Sequence, residues 1–380
     1  MTQKAPMKDT ALSPERVARI GREVASADPR FDADGFARAT LAGFPRLELK
    51  DRIKHTAASL RAFLPQETAE ALSILLRSLP ATPEEAGSDS DFGLYIYAPH
   101  SEFVARYCRT RELLDAGLEA LARFSPYFSA EDACRYFIND FPDETIAAVY
   151  AWAEAPDHRV RRLASEATRP RLPWSTGISL PVDAGVPILE RLYTDEHRFV
   201  TQSVANHLKD IAEQRLDLVL ATLERWKNST PTSRDYAFIA REALLTRLKA
   251  GDGAAYEFLG YRTDVPVTSE LHLNSTLLRE GDELAFDVEL TAAADAKLRV
   301  NYAITAPGAN GTDRVKTWVM KSSLTTAAGS TVHLAKRHAL RSTATWALRH
   351  GPHSLEIHVN GRMIARRGFE VAQHTAAAGT

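Results

Sequence analysis

No stretch of this chain reaches the roughly 18 consecutive apolar residues that a membrane-spanning helix needs. The opening Met1 to Thr10 is polar and lacks the apolar core of a secretory signal. A cytoplasmic protein with no membrane partner is therefore expected. Cysteine is nearly missing: Cys108 and Cys134 are the only two in 380 residues, with no C-x-x-C or Cys/His ligand spacing. That argues against a disulfide framework or a structural zinc site and leaves both as core thiols. No compact Asp/Glu/His set such as H-x-x-E-H occurs, which speaks against a metal-dependent nuclease. No lysine stands out as a Schiff-base nucleophile, and no cofactor is expected. An excess of one charge sign is lacking too, since the net charge is −2, so any case for nucleic acid must rest on local patches.

Those patches exist. Residues 261–380 carry 14 Lys/Arg against 11 Asp/Glu, whereas residues 1–260 carry 33 against 38. Between Arg159 and Arg171 stand five arginines (Arg159, Arg161, Arg162, Arg169, Arg171) and a single carboxylate, Glu166.

From Ser13 to about Gly260 apolar residues recur at three- and four-residue spacing, broken by short Pro, Asp or Gly segments, which predicts helix after helix. Val17, Ile20 and Val24 make one apolar face; Leu60, Phe63 and Leu64 close another. The polar stretch Pro80 to Phe92 reads as a mobile loop. At a 40-residue offset Val160–Glu166 falls on Val200–Asn206, with small residues (Ala164, Ser165, Ala205) where helices would press together. A period of that length is the mark of paired-helix solenoids, whose concave face suits a long ligand. After Gly260 the period changes to two, at Leu271–Asn274, Leu284–Leu290, Leu298–Tyr302, Lys316–Lys321, Thr331–Leu334, Ser354–Val359 and Met363–Val371. With turn signals at Glu280-Gly281-Asp282, Pro307-Gly308 and Asn360-Gly361, these predict about seven strands of an immunoglobulin-like sandwich. The tail Ala372 to Thr380 is expected to be disordered.

The densest chemical feature is Arg162-Leu163-Ala164-Ser165-Glu166-Ala167-Thr168-Arg169-Pro170-Arg171-Leu172-Pro173-Trp174, a helix stopped by two prolines. A carboxylate among guanidiniums, followed by an indole on a proline-fixed turn, is what a site for a cationic ligand beside phosphates would need. Residue types alone fit the plainer reading better: a solvated Arg-rich helix with Glu166 in surface pairs and Trp174 in the core.

This stretch, with Ser203 to Ala212 (SVANHLKDIA) and Arg241 to Asp252 (REALLTRLKAGD), resembles the AlkC branch of the AlkC/AlkD DNA glycosylases. The similarity in layout covers nearly the whole chain and includes the C-terminal immunoglobulin-like domain that one AlkC subgroup carries. It implies a mostly α fold: a HEAT-like α-α superhelical repeat solenoid over residues 1–260 bearing the glycosylase site, then a small all-β immunoglobulin-like sandwich over 265–372. It also implies a monofunctional, cofactor-free hydrolase acting on double-stranded DNA with alkylated bases, excising cationic 3-methyladenine or 3-methylcytosine without turning the base into a pocket. Such a departure from base flipping is chemically reasonable, because a cationic base leaves as a neutral molecule while the sugar gains oxocarbenium charge.

The resemblance assigns Glu166 to positioning water and stabilising the cationic sugar, and Trp174 to packing against the deoxyribose. Asp210, in the next repeat, supplies a second carboxylate or else pairs locally. Glu131 looks like the family's upstream acidic position, although Ser129-Ala130-Glu131 also reads as an ordinary helix start. Arg162 and Arg169, seven apart, share a helix face and are expected to bind phosphate or enter the duplex. Arg161, Arg171 and Lys209 are candidate phosphate contacts or solvated surface. From Lys297 onward twelve Lys/Arg stand against three Asp/Glu. Lys336-Arg337, and Arg362 with Arg366-Arg367, are expected to help the sandwich clamp DNA if they lie on one end of it. The competing expectation is a non-catalytic helical-repeat scaffold that binds DNA or protein.

Overall fold

The computed structural model describes residues 6–87, 90–229, 234–308, 311–343 and 346–372. All but the first residue of the expected disordered tail lies outside them. The chain divides into two compact units, Met1–Ala243 and Leu244–Thr380.

Among the described residues the first unit has α-helices and no strand longer than an isolated bridge, in the order α1 (Met7–Ala11), α2 (Pro14–Ala27), α3 (Ala33–Gly43), α4 (Leu49–Phe63), α5 (Thr68–Arg77), α6 (Ala98–Tyr107), α7 (Leu114–Phe124), α8 (Glu131–Asp140), α9 (Pro142–Trp152), α10 (His158–Ala167), α11 (Val186–Leu192), α12 (Arg198–Ala212), α13 (Leu216–Ser229) and α14 (Arg234–Ala243). Local chemistry sets the ends. Ser13 caps α2 by accepting from the Arg16 amide, with Pro14 at the first helical position. Asp157 caps α10 by accepting from the Arg159 amide at 2.7 Å. The predicted face of Val17, Ile20 and Val24 is fully buried. Cys108 and Cys134 are buried free thiols.

The two stretches aligned by the 40-residue offset lie in α10 and α12, which pack together. Small side chains let them approach: the Ser203 hydroxyl donates to Ser165 Oγ at 2.8 Å, and His207 Nδ1 lies 3.0 Å from the Ser165 carbonyl. Gly185 permits the next contact, because a Cβ there would fall 2.3 Å from His207 Cε1.

The stretch expected to be a mobile loop includes residues 88 and 89, which lie outside the described residues; its described part is held by distant partners. The Tyr127 hydroxyl donates to the Pro80 carbonyl at 2.5 Å, Glu84 lies 3.3 Å from Arg159, and Asp91 lies 2.8 Å from His158. Phe92 meets Phe199 edge-on at 4.9 Å. Its polar composition concealed these anchors because each partner lies 47 or more residues further along.

The second unit opens with α15 (Leu245–Lys249) and α16 (Gly253–Phe258). It continues with β1 (Val267–Leu273), β2 (Leu277–Arg279), β3 (Glu283–Ala292), β4 (Ala296–Ala306), β5 (Arg314–Thr326), β6 (Thr331–Ala339), β7 (Gly351–Val359) and β8 (Arg362–Ala372). The strands form two sheets, ordered β1-β3-β6 and β2-β8-β7-β4-β5. Alternating inward residues, among them Leu284, Phe286, Val288, Val300, Tyr302, Leu355 and Ile357, make the shared core. The predicted turn at Asn360-Gly361 has positive φ at both residues, 46° and 85°, as a two-residue hairpin requires. The short β2, which pairs parallel with β8, escaped the pattern because three residues show no period.

Sequence period placed the end of the helical domain at 260. The compact unit instead begins at Leu244, because α16 belongs with the strands. Tyr256 is fully buried, and its hydroxyl accepts from the Asn301 amide at 3.2 Å. The Tyr261 hydroxyl donates to the Ser322 carbonyl at 2.9 Å.

Candidate active site

Three helices bring together the carboxylates and arginines singled out in the sequence. Glu131 opens α8, Arg162 and Glu166 lie one turn apart on α10, Arg169 follows its end, and Asp210 lies near the end of α12. They form one chain of alternating charge. Arg162 lies 3.6 Å from both Glu131 and Glu166, and Arg169 donates to Glu166 at 3.0 Å and to Asp210 at 2.8 Å. Arg162 also donates to Ser129 Oγ at 2.6 Å, and that hydroxyl in turn donates to Glu131.

Glu166 is 3% exposed. Burial works to raise its pKa, but the adjacent Arg162 and Arg169 guanidiniums outweigh it and hold the carboxyl below its ordinary value. Asp210 behaves oppositely: burial raises its pKa, and the single guanidinium of Arg169 does not fully offset this. Two carboxylates on one arginine therefore differ in protonation tendency, a division that acid–base sites exploit.

Trp174 is 73% exposed and is not the core aromatic of the plainer reading. It stands at a cavity of about 530 Å³ whose walls include Tyr95, Phe128, Ile53, Glu131 and Asp132. Its turn is pinned from three sides. Arg135, 1% exposed, donates to the carbonyls of Thr176 at 2.6 Å, Arg169 at 2.8 Å and Ala167 at 3.4 Å. Asn139 donates to the Gly177 carbonyl and accepts from the Ser179 amide, both at 2.9 Å. Lys50 donates to the Trp174 carbonyl at 2.6 Å and lies 3.1 Å from Asp132. Sequence reasoning missed Arg135, Asn139 and Lys50. Burial lowers the Arg135 pKa, yet nothing in its sequence neighbourhood distinguishes it from a solvated helix arginine.

The expected DNA contacts are not equally available. Arg162 is enclosed between the rings of Phe92 and Phe199, 5.3 and 4.6 Å from their centroids. Arg169 is taken up by Glu166 and Asp210. Arg161 pairs with Asp195 at 2.5 Å and donates to the carbonyls of Ala155 and Pro156. Lys209 donates to Asn206 at 2.9 Å, and Arg171 is exposed. In the sandwich, Lys336 and Arg337 lie on β6 of one sheet, whereas Arg362, Arg366 and Arg367 lie on β8 of the other. The two clusters therefore do not share a strand or a sheet.

Comparison with known proteins fits this layout. Residues 104–240 match the family model described as DNA alkylation repair enzyme, and residues 267–373 match that of the C-terminal Ig-like domain of the uncharacterised protein YhaZ. Uncharacterized protein YhaZ of Bacillus subtilis (strain 168) is 30% identical over 362 residues, covering 94% of this chain and 97% of the relative. The alkylpurine DNA glycosylase AlkC of Pseudomonas fluorescens, solved bound to DNA containing an abasic site analog, is similar in structure with a TM-score of 0.87. It is 29% identical, with 97% of this chain and 100% of that chain covered. A repair-type helical domain followed in sequence by an Ig-like unit defines the class, a DNA alkylation repair glycosylase. Within that class, the chain belongs to the AlkC-type DNA alkylation repair enzymes that carry a C-terminal Ig-like domain.

Proposed function

We propose that the protein hydrolyses the N-glycosidic bond of cationic alkylated bases, of the 3-methyladenine and 3-methylcytosine type, in duplex DNA, leaving the damaged base in the helix. The observation that carries this reading is a carboxylate, Glu166, almost completely buried between two arginines that favour its charged form, and one step from a second carboxylate. A scaffold has no use for such an arrangement. A reaction whose transition state is an oxocarbenium-like sugar does, because fixed negative charge in a low-dielectric site stabilises it without reorganisation.

In this scheme Glu166 and Asp210 face the developing sugar cation and hold the attacking water, with Glu131 as the outer carboxylate. Arg162 and Arg169 serve as fixed counter-ions that aim the carboxylates. The exposed ring of Trp174 packs against the deoxyribose, its apolar face matched to the C–H side of the sugar. Arg171 and Lys209 are the nearby cations better placed for phosphates, Arg161 being taken up by Asp195. No lysine nucleophile is invoked, so the product is an abasic site left by hydrolysis. The helical unit carries the chemistry, the Ig-like unit adds duplex affinity, and the work is done in the cytoplasm at the nucleoid.

The test is release of free base from methylated DNA, identified by chromatography. The intact chain should release 3-methyladenine or 3-methylcytosine. Glu166→Gln should bind DNA normally but excise roughly 100-fold more slowly in single turnover, the scale for removing one preorganised electrostatic group. Release of neither base by the intact chain would return the protein to the scaffold reading.

A further inference from the structure

Beside the chain of alternating charges lies space that excision itself does not use. The cavity of about 530 Å³ at Trp174 is lined by Ser129 and Glu131, so it borders the outermost carboxylate of that chain. Its volume falls within the range of small-molecule sites. Leu49 and Ile53 of α4 and two aromatic rings, Tyr95 and Phe128, make much of the remaining wall.

Backbone geometry fixes the two rings. Gly93 has a φ of 75°, and a Cβ there would fall 1.9 Å from the Tyr127 carbonyl oxygen. That close approach lets Gly93 bridge to Phe128, and the Leu94 amide donates to the Tyr127 carbonyl at 2.8 Å. Tyr95 is thereby set beside Phe128, with ring centroids 4.7 Å apart and planes at 42°. Pre-positioned aromatic surface suits a flat heterocycle, because every nucleobase has a π face.

Behind the rings the wall turns polar. A second hollow of about 70 Å³ shares Lys50, Ile53, Phe128, Ser129 and Asp132 with the first and adds Ser101 and Glu102. Ser101 is 5% exposed, and its hydroxyl has no hydrogen-bond partner among the described residues. Asp132 gives Oδ2 to Lys50 at 3.1 Å, while its Oδ1 is buried with no donor among the described residues. Ser175, on the wall of the larger cavity, carries a third buried oxygen without a partner. Burial holds the Glu102 carboxyl above its ordinary value, although Arg106 lies 3.7 Å away. Buried polar atoms are seldom left unpaired, and three around one recess point to a polar ligand.

We propose that this recess is a product site that takes up the free methylated base once its glycosidic bond has broken. A cationic base departs as a neutral molecule, so the site needs no counter-charge, in keeping with walls that are mainly aliphatic and aromatic. Both 3-methyladenine and 3-methylcytosine carry an exocyclic amino group, whose hydrogens Asp132 Oδ1 accepts while the ring stacks on Tyr95 and Phe128. The product site deepens the excision reading and rests on it for the source of the base, but binding of the free base is measured without DNA.

Equilibrium dialysis of the full-length protein against free 3-methyladenine should show one saturable site. Tyr95→Leu/Phe128→Leu, at two half-buried positions, should weaken it roughly tenfold or more. Asp132→Asn should weaken it roughly fivefold, the scale of one hydrogen bond. Circular dichroism checks that each variant is folded. Toluene, an apolar ring without an amino group, should compete only weakly. Absence of saturable binding by the intact protein, or unchanged affinity in either variant, would overturn the proposal. So would toluene that displaces 3-methyladenine at equal concentration, since the recess would then be a plain apolar void. Release of base from methylated DNA by a protein that does not bind the free base refutes the product site and leaves the excision reading standing. Binding of the free base without release from DNA does the reverse.

Discussion

Trp174 and His100 show how differently single side chains bear on this molecule. Trp174 is mostly exposed, so its removal opens no cavity in a packed core. Trp174→Ala should therefore leave stability within about 0.5 kcal/mol of the parent, while slowing base release at saturating DNA. Chemical denaturation and single-turnover excision, measured on one preparation, separate the two effects. His100 is the reverse, 1% exposed, ringed by Tyr97 and Phe124, with neither ring nitrogen hydrogen-bonded. Burial pushes its pKa down from 6.5 to about 4, and burial together with Arg169 pushes His207 to about 3. Both folded values lie below the unfolded one, so the unfolded chain takes up protons that the folded chain refuses. Stability is then complete above about pH 6.5 and declines as the pH falls through that value toward 4. His100→Phe, which keeps an aromatic ring and removes the titration, should flatten this decline between pH 7 and 5 in urea unfolding. An unaltered slope would assign the pH dependence elsewhere.

At the scale of elements, the turn after α10 owes its shape to helices that precede it in sequence. Arg135 on α8 satisfies three of its carbonyls, and Lys50 on α4 a fourth. Arg135→Met fills a similar volume but leaves buried carbonyls without a donor, and should cost about 3 kcal/mol in denaturant unfolding. Excision should fall with it through displacement of Trp174, whose emission spectrum reports the change. This division marks where the sequence was legible. The strands of the second unit could be read because period-two alternation is a local property of a half-buried ribbon. Glu166 stood out as the one acid among five arginines, and its resemblance to a family motif added the role. The pairing of Arg169 with Asp210, 41 residues on, and the burial of Arg162 under Phe92 are contacts between non-neighbouring elements. No local pattern encodes them. Arg135 was illegible for the same reason: an arginine on an amphipathic helix looks alike whether it meets water or a turn that arrives 32 to 41 residues later.

For the whole molecule, the unit boundary decides which fragments will fold. A chain ending at Ala243 keeps the first compact unit intact and should retain its helical circular dichroism while binding duplex DNA more weakly than the full protein. One ending at Asp264 strands α15 and α16 without the sheet that buries Tyr256, and should melt at a lower temperature or aggregate. Equal melting temperatures for the two fragments would show that the helices do not depend on the strands. The seam between α16 and the sandwich is tight at its glycines. A Cβ on Gly361 would fall 2.9 Å from the Gly251 carbonyl oxygen, and one on Gly251 3.0 Å from that of Gly361. Both residues also have positive φ, which disfavours any side chain there. This backbone apposition bears on how the Ig-like unit can be inherited or grafted. A gene fusion that joins the sandwich to another protein just before its first strand would leave behind half of an interlocked pair, so the viable crossover point lies upstream of Leu244.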